Sequence, residues 1–140
     1  MDVSRRSFLR GALAIAAVAI AQPTLALASL PTIYGDGVRD DSDGLQALFD
    51  GRPFRVDGVV VKAESGAIEG GLFAIRKAVV VRADNISIKD CTFLAMRGFT
   101  DPYLMLFEGA SSCCIYRSHF DGRNIQDADA VLLRFNSAHQ

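Results

Sequence analysis

Asn85 to Phe93 reads N-I-S-I-K-D-C-T-F, and 27 residues further on Ser112 to Phe120 reads S-C-C-I-Y-R-S-H-F. Aligned without a gap, Ile86 falls on Cys113, Ile88 on Ile115, Cys91 on Ser118 and Phe93 on Phe120. Small or apolar residues recur at every second position, a bend follows, and a Phe closes each copy. That is the pattern of a half-buried strand. A strand pattern returning at a fixed period of this length indicates a solenoid, whose turns stack to bury a face that one turn cannot bury alone. Tyr103 to Phe107 and Ala130 to Phe135 align at the same offset, Leu104 with Val131 and Leu106 with Leu133. Each turn is expected to supply about three short strands, bonded to the turns on either side at ~4.8 Å.

Working back towards the N-terminus, Ala78 to Arg82, Leu72 to Ile75 and Phe54 to Lys62 also read as extended, with Asp57-Gly58 as a turn signal in the last. Ahead of them lies Ile33-Tyr34-Gly35-Asp36-Gly37-Val38-Arg39-Asp40-Asp41-Ser42-Asp43-Gly44-Leu45-Gln46-Ala47-Leu48-Phe49-Asp50. Asp43 with Gln46 is compatible with a capping box, and Leu45, Leu48 and Phe49 then share one face of a short helix. The run is rich in Asp, but with Gly44 at the sixth position of an EF-hand loop the first position is Arg39, a cation where an anion is required. Turn and capping chemistry is the better account of those carboxylates.

The opening Y-G-D-G-V-R-D-D-S-D-G-L-Q-A-L, followed by strand-rich repeats, resembles the start of right-handed parallel β-helix proteins of the pectate-lyase-like superfamily, including phage tailspike-type relatives. The resemblance covers roughly residues 33–136 and implies an all-β fold: a short right-handed parallel β-helix whose N-terminal end is closed by a helix. Gly44 departs from the Ala more usual in the family, at a cost to the helix of about 1 kcal/mol. The expected domains are a leader over 1–28, a cap over 29–51 and β-helix repeats over 52–140. The sequence closes on Asn136-Ser137-Ala138-His139-Gln140, with nothing amphipathic to cover the last strands. Exposed strand edges are ordinarily capped or paired. A fragment of a longer ancestor is therefore expected, or else closure of that end by a homo-oligomer or larger assembly.

The first 28 residues read as an address. Ser4-Arg5-Arg6-Ser7-Phe8-Leu9-Arg10 precedes an uncharged apolar run from Gly11 to Ala21, then Pro23, then Ala26-Leu27-Ala28 as a small-x-small cleavage site. Arg5, Arg6, Phe8 and Leu9 resemble a twin-arginine export signal. The apolar run is short of the ~20 residues a membrane-spanning helix needs. The implied partners are the twin-arginine translocase and signal peptidase, and the implied location is periplasmic or secreted. Removing Asp2, Arg5, Arg6 and Arg10 takes the formal charge from -1 to -3. No basic excess points to nucleic acid.

Nine Phe and no Trp suit a core of stacked rings and argue against an aromatic sugar platform. Three Cys cannot all pair within one chain; Cys91, Cys113 and Cys114 are expected as small residues of the stack. Two His and three Cys without metal-ligand spacing imply no metal, and no cofactor motif is present.

For enzymes of the resembled superfamily, lyases imply calcium-binding Asp with an Arg base, and hydrolases imply clustered Asp. The candidate catalytic residues are Asp90, Arg117, His119 and Asp121. Asp90 aligns with Arg117, so a cross-turn ion pair is expected, worth under about 1 kcal/mol if solvated. In a catalytic arrangement His119 would exchange the proton near neutral pH, Arg117 would hold a substrate carboxylate and Asp121 would orient the imidazole. Two functions remain: an exported, non-catalytic β-helix module directed at polysaccharide, and a polysaccharide lyase or glycoside hydrolase with its groove on the outer face.

Overall fold

The computed structural model describes residues 5–10, 13–19, 30–125 and 130–136. Among them the chain is mostly strand, with one short helix. The elements are β1 (Arg5–Arg10), β2 (Leu13–Ala19), β3 (Thr32–Ile33), β4 (Asp36–Asp40), α1 (Ser42–Asp50), β5 (Phe54–Val56), β6 (Val59–Glu69), β7 (Leu72–Ile75), β8 (Val79–Val81), β9 (Ser87–Lys89), β10 (Thr92–Ala95), β11 (Tyr103–Glu108), β12 (Cys114–Tyr116), β13 (His119–Asp121) and β14 (Val131–Asn136).

From β6 onward the chain visits three sheets in rotation. Sheet A holds β6, β9 and β12; sheet B holds β4, β7, β10 and β13; sheet C holds β8, β11 and β14. All of these pairings are parallel. Alternation within each short strand turns one residue in two inward, and equivalent inward residues meet across the pairs. Ile68, Ile88 and Ile115 line up in sheet A. Phe73, Phe93 and Phe120 do so in sheet B, their rings stacked at 5.3 and 5.1 Å. In sheet C, Phe107 stacks on Phe135 at 5.0 Å. Each offset-stacked pair adds about 0.5–1.5 kcal/mol to the burial of its rings.

Ile88 does pair with Ile115 and Phe93 with Phe120, at the 27-residue offset. The second expected alignment is corrected by one residue. Tyr103 faces Val131 and Met105 faces Leu133, an offset of 28, so Leu104 does not meet Val131. The inward pairs Met105–Leu133 and Phe107–Phe135 decide that register, because a one-residue slip would turn both to the opposite face. The extra residue is taken up in the connection between β13 and β14. The preceding turn is shorter: Thr92 lies against Leu72.

Asp57 and Gly58, at φ 50° and 77°, form the two-residue turn between antiparallel β5 and β6. Positive φ at both positions matches the twist of the strands they join. Strand β6 continues beyond the expected Lys62 to Glu69, serving β5 with its first three residues and β9 with its last three.

Helix α1 closes one end. Leu45, Ala47, Leu48 and Phe49 are buried against β3, β5, β6 and β8. Its N-cap is Asp41, and Gln46 does not complete a capping box; its side-chain amide instead bonds both main-chain groups of Val80, at 2.7 and 2.8 Å. The Gln thus stands in for a neighbouring strand on the free edge of sheet C. Gly44 is required at its position, since a Cβ there would come within 2.7 Å of the Thr32 carbonyl oxygen.

Nearer the N-terminus β2 pairs antiparallel with β6, and β1 with β2. Leu13, Ile15 and Ala17, within the apolar run of the expected leader, are fully buried in the same core. Ala26 and Ala28 lie outside the described residues, as does the segment 137–140.

Candidate functional site

The four candidate catalytic residues fall into two places. Asp90 and Arg117 occupy equivalent corners between sheets A and B, both in the left-handed conformation at φ 54° and 47°. Gly70 takes the same corner one turn earlier, at φ 71°. Arg117 pairs bidentately with Asp90, at 2.8 and 3.0 Å, and its guanidinium lies 4.7 Å from the Tyr116 ring. Nε and one Nη of the arginine are thereby engaged on the carboxylate expected from the alignment. The pair is solvated and ties one turn to the next.

His119 and Asp121 sit on the outer face of sheet B, at the first and third positions of β13. His119 is exposed and lies opposite Thr92. Asp121 does not orient the imidazole by a hydrogen bond. It accepts from the Arg123 main-chain N–H at 3.0 Å and from the Arg123 guanidinium at 2.7 and 2.9 Å. That guanidinium and N–H hold the Asp121 carboxyl below the usual carboxylate range. The cause is local: Arg123 follows the strand end by two residues and its side chain folds back.

The concave surface lies beside these residues. Connections from sheet B to sheet C lengthen from turn to turn, running over 76–78, 96–102 and 122–130. Met96 and Arg97 of the second connection, and Arg123 and Asn124 at the start of the third, flank the outer face of sheet B. Phe99 is fully buried and anchors the second connection, while Asp101 accepts the Ala78 N–H at 2.7 Å. The third is pinned by Asn124, whose amide donates to the Ala95 carbonyl at 2.8 Å. Between these connections and the sheet run two adjoining grooves of about 300 and 260 Å³. They share Leu94, Ala95 and Asn124; Gly37, Val38, Ala74, Met96 and Arg97 complete one, and Asp121 and Arg123 the other. Val38 is 73% exposed and Leu72 nearby 39%. Arg97 is exposed and has no ion-pair partner among the described residues.

Of the sequence candidates only Asp121 lines this surface. Nothing in the types or spacing of Arg97, Arg123, Asn124, Val38 and Leu94 forms a motif; what brings them together is loop length, visible in the sequence only as the unequal gaps between strand patterns.

The Asp residues of the N-terminal segment are engaged by this chain's own groups. Asp36 bonds the main chain of Val38 and Arg39, with the Arg39 guanidinium at 2.8 Å. Asp40 accepts from Ser42 and from the Arg76 N–H, Asp43 pairs with Lys77, and Asp50 meets Gln46 and Arg52. Asp41 is fully buried and accepts the N–H groups of Tyr34 and Gly35 at 2.7 and 3.1 Å. Burial pushes its carboxyl up to about 6, against the opposing pull of those two donors.

Cys91 is buried at the corner after Asp90, its thiol within 3.2 Å of the Gly70 carbonyl and pushed up to about 12 by desolvation. Such a thiol is a packing group rather than a nucleophile. Cys113 is half-buried and Cys114 exposed, and all three thiols are free.

Comparison of the chain with protein-family models, with curated proteins and with solved structures finds no match in any of the three.

Proposed function

We propose that the chain is a short right-handed parallel β-helix of the pectate-lyase-like kind, exported by a twin-arginine leader, and that it binds a polysaccharide along the outer face of sheet B without turning it over. The adjoining grooves from Val38 to Arg123 carry this reading. They cross four strands, about 14 Å at the usual spacing, enough for a short stretch of sugar chain. Val38, Leu72 and Leu94 offer apolar contact to the C–H faces of sugar rings, and Arg97, Asn124, Asp121 and Arg123 offer hydrogen bonds to hydroxyls and carboxylates. A shallow, mixed surface of this kind grips without enclosing.

Asp121 favours binding over catalysis. General-acid work on a glycoside needs a carboxyl held protonated, with a second carboxylate across the bond. Arg123 keeps Asp121 ionised, and Asp121 is the one carboxylate lining the grooves among the described residues.

Titration of the full chain with neutral and uronate oligosaccharides, followed by calorimetry, tests the reading. Binding by at least one is expected, weakened at least ~10-fold by Arg97→Ala with Arg123→Ala, a loss of about 1.4 kcal/mol. Release of reducing or unsaturated ends from any of them, reduced ~100-fold by His119→Ala, would establish the lyase or hydrolase in its place. No binding to any glycan by a folded sample would end the polysaccharide assignment.

A further inference from the structure

The apolar run of the leader and the edge of β6 make a fitted contact. Leu13, Ile15 and Ala17 are fully buried. Leu13 seats against two glycines, Gly35 and Gly71, where added Cβ atoms would approach it to 3.0 and 3.1 Å. Arg5 and Arg6 lie in β1, in register with Val18 and Ala17, so their main chain is held in a hairpin.

The same contact is not uniform along its length. Strand β2 is rich in Ala, and its antiparallel register breaks between Ile15 and Ala17. Beside the break a cleft of about 190 Å³ opens between Ala14 and Ile15 on one side and Ala67 and Ile68 on the other. A strand so placed is seated but incompletely packed.

We propose that β2 is a detachable strand: the folded chain holds its own export segment on the edge of β6, and recognition and removal of the leader require that strand to leave. The inference rests on the export reading of residues 1–28. A translocase or peptidase binding these residues competes with β6 for the same strand. Its apparent affinity falls in proportion to the undocked fraction. Folding of the body and exposure of the signal are thereby coupled.

A disulfide across the contact tests this in the full chain. Ala17 faces Ala63 directly, a separation that a disulfide can span. Ala17→Cys with Ala63→Cys, on a Cys114→Ser background, is expected to give an intramolecular disulfide identified by peptide mass. Oxidised precursor is expected to be exported and processed at least ~10-fold more slowly than the reduced form. Ala63→Asp, which leaves the leader untouched, is expected to release β2 and speed processing. Absence of the disulfide, or equal processing of oxidised and reduced precursor, overturns the proposal. If the disulfide forms and Arg5→Lys with Arg6→Lys is still exported normally, the twin-arginine reading fails while the docking of β2 stands.

Discussion

Asp41 is fully buried beneath the turn that leads into α1, and its two N–H partners do not offset the loss of water around it. Its folded-state carboxyl therefore titrates above the unfolded one, at about 6 against 3.8. For an acid shifted this way the folded state binds the proton more tightly, so the stabilisation is complete below the unfolded value and is lost as pH rises through about 6. Asp36 and Asp121 are shifted the other way, by N–H donors and by Arg39 and Arg123, so what they contribute is present at neutral pH and is lost in stronger acid. The chain is expected to gain stability on going from pH 7 to 4.5, on the order of 2 kcal/mol, and to lose it again below about pH 4. Urea midpoints across that range measure it. Asp41→Asn should abolish the gain above pH 4.5; a variant that still shows the rise would place its source at another carboxyl.

At the scale of the element, the column Phe73–Phe93–Phe120 fills the core side of sheet B. Phe93 is fully buried between two rings, whereas Phe120 ends the column and is only half-buried. Phe93→Ala is expected to cost about 3–5 kcal/mol and Phe120→Ala clearly less, read as the shift in urea midpoint. Equal losses would mean that Phe120 is covered as completely as Phe93. Sheets A and B were legible from the repeat because their strands are short, alternate cleanly, and turn at corners where Asn85, Asp90, Ser112 and Arg117 take the left-handed conformation without adding residues. Sheet C was legible in place but not in register. Tyr103 to Phe107 is apolar at nearly every position, so alternation cannot tell inside from outside, and Leu104 and Leu106 are buried on the face opposite Met105 and Phe107. Nor could Gln46 be distinguished from a capping residue, since its partner Val80 is brought near only when the first turn closes over α1.

At the scale of the whole molecule, the proposed leader and a strand of the fold share one stretch of sequence. Leu13 to Ala19 has the apolarity of a leader core, and its buried members Leu13, Ile15 and Ala17 also follow the period-two pattern of a strand. The apolar length and the arginine pair point to export; only β6, fifty residues away, supplies the edge that makes the same run a strand. The outer grooves were equally hidden, because their lining comes from four strands and two connections. Only the ion pair of Asp90 with Arg117 could be placed beforehand, from the alignment of two corners. On the proposed export reading the arginines alone decide recognition, since each Lys keeps the charge and loses only the planar fork of donors. Arg5→Lys with Arg6→Lys is therefore expected to leave the fold and the β2–β6 pairing intact, as judged by circular dichroism and urea midpoint. It should hold the protein uncleaved in the cytoplasm, as judged by fractionation and N-terminal mass. Normal cleavage after Ala28 in that variant would mean that a different export route reads the leader. A loss of stability would mean instead that the arginine side chains themselves support the hairpin.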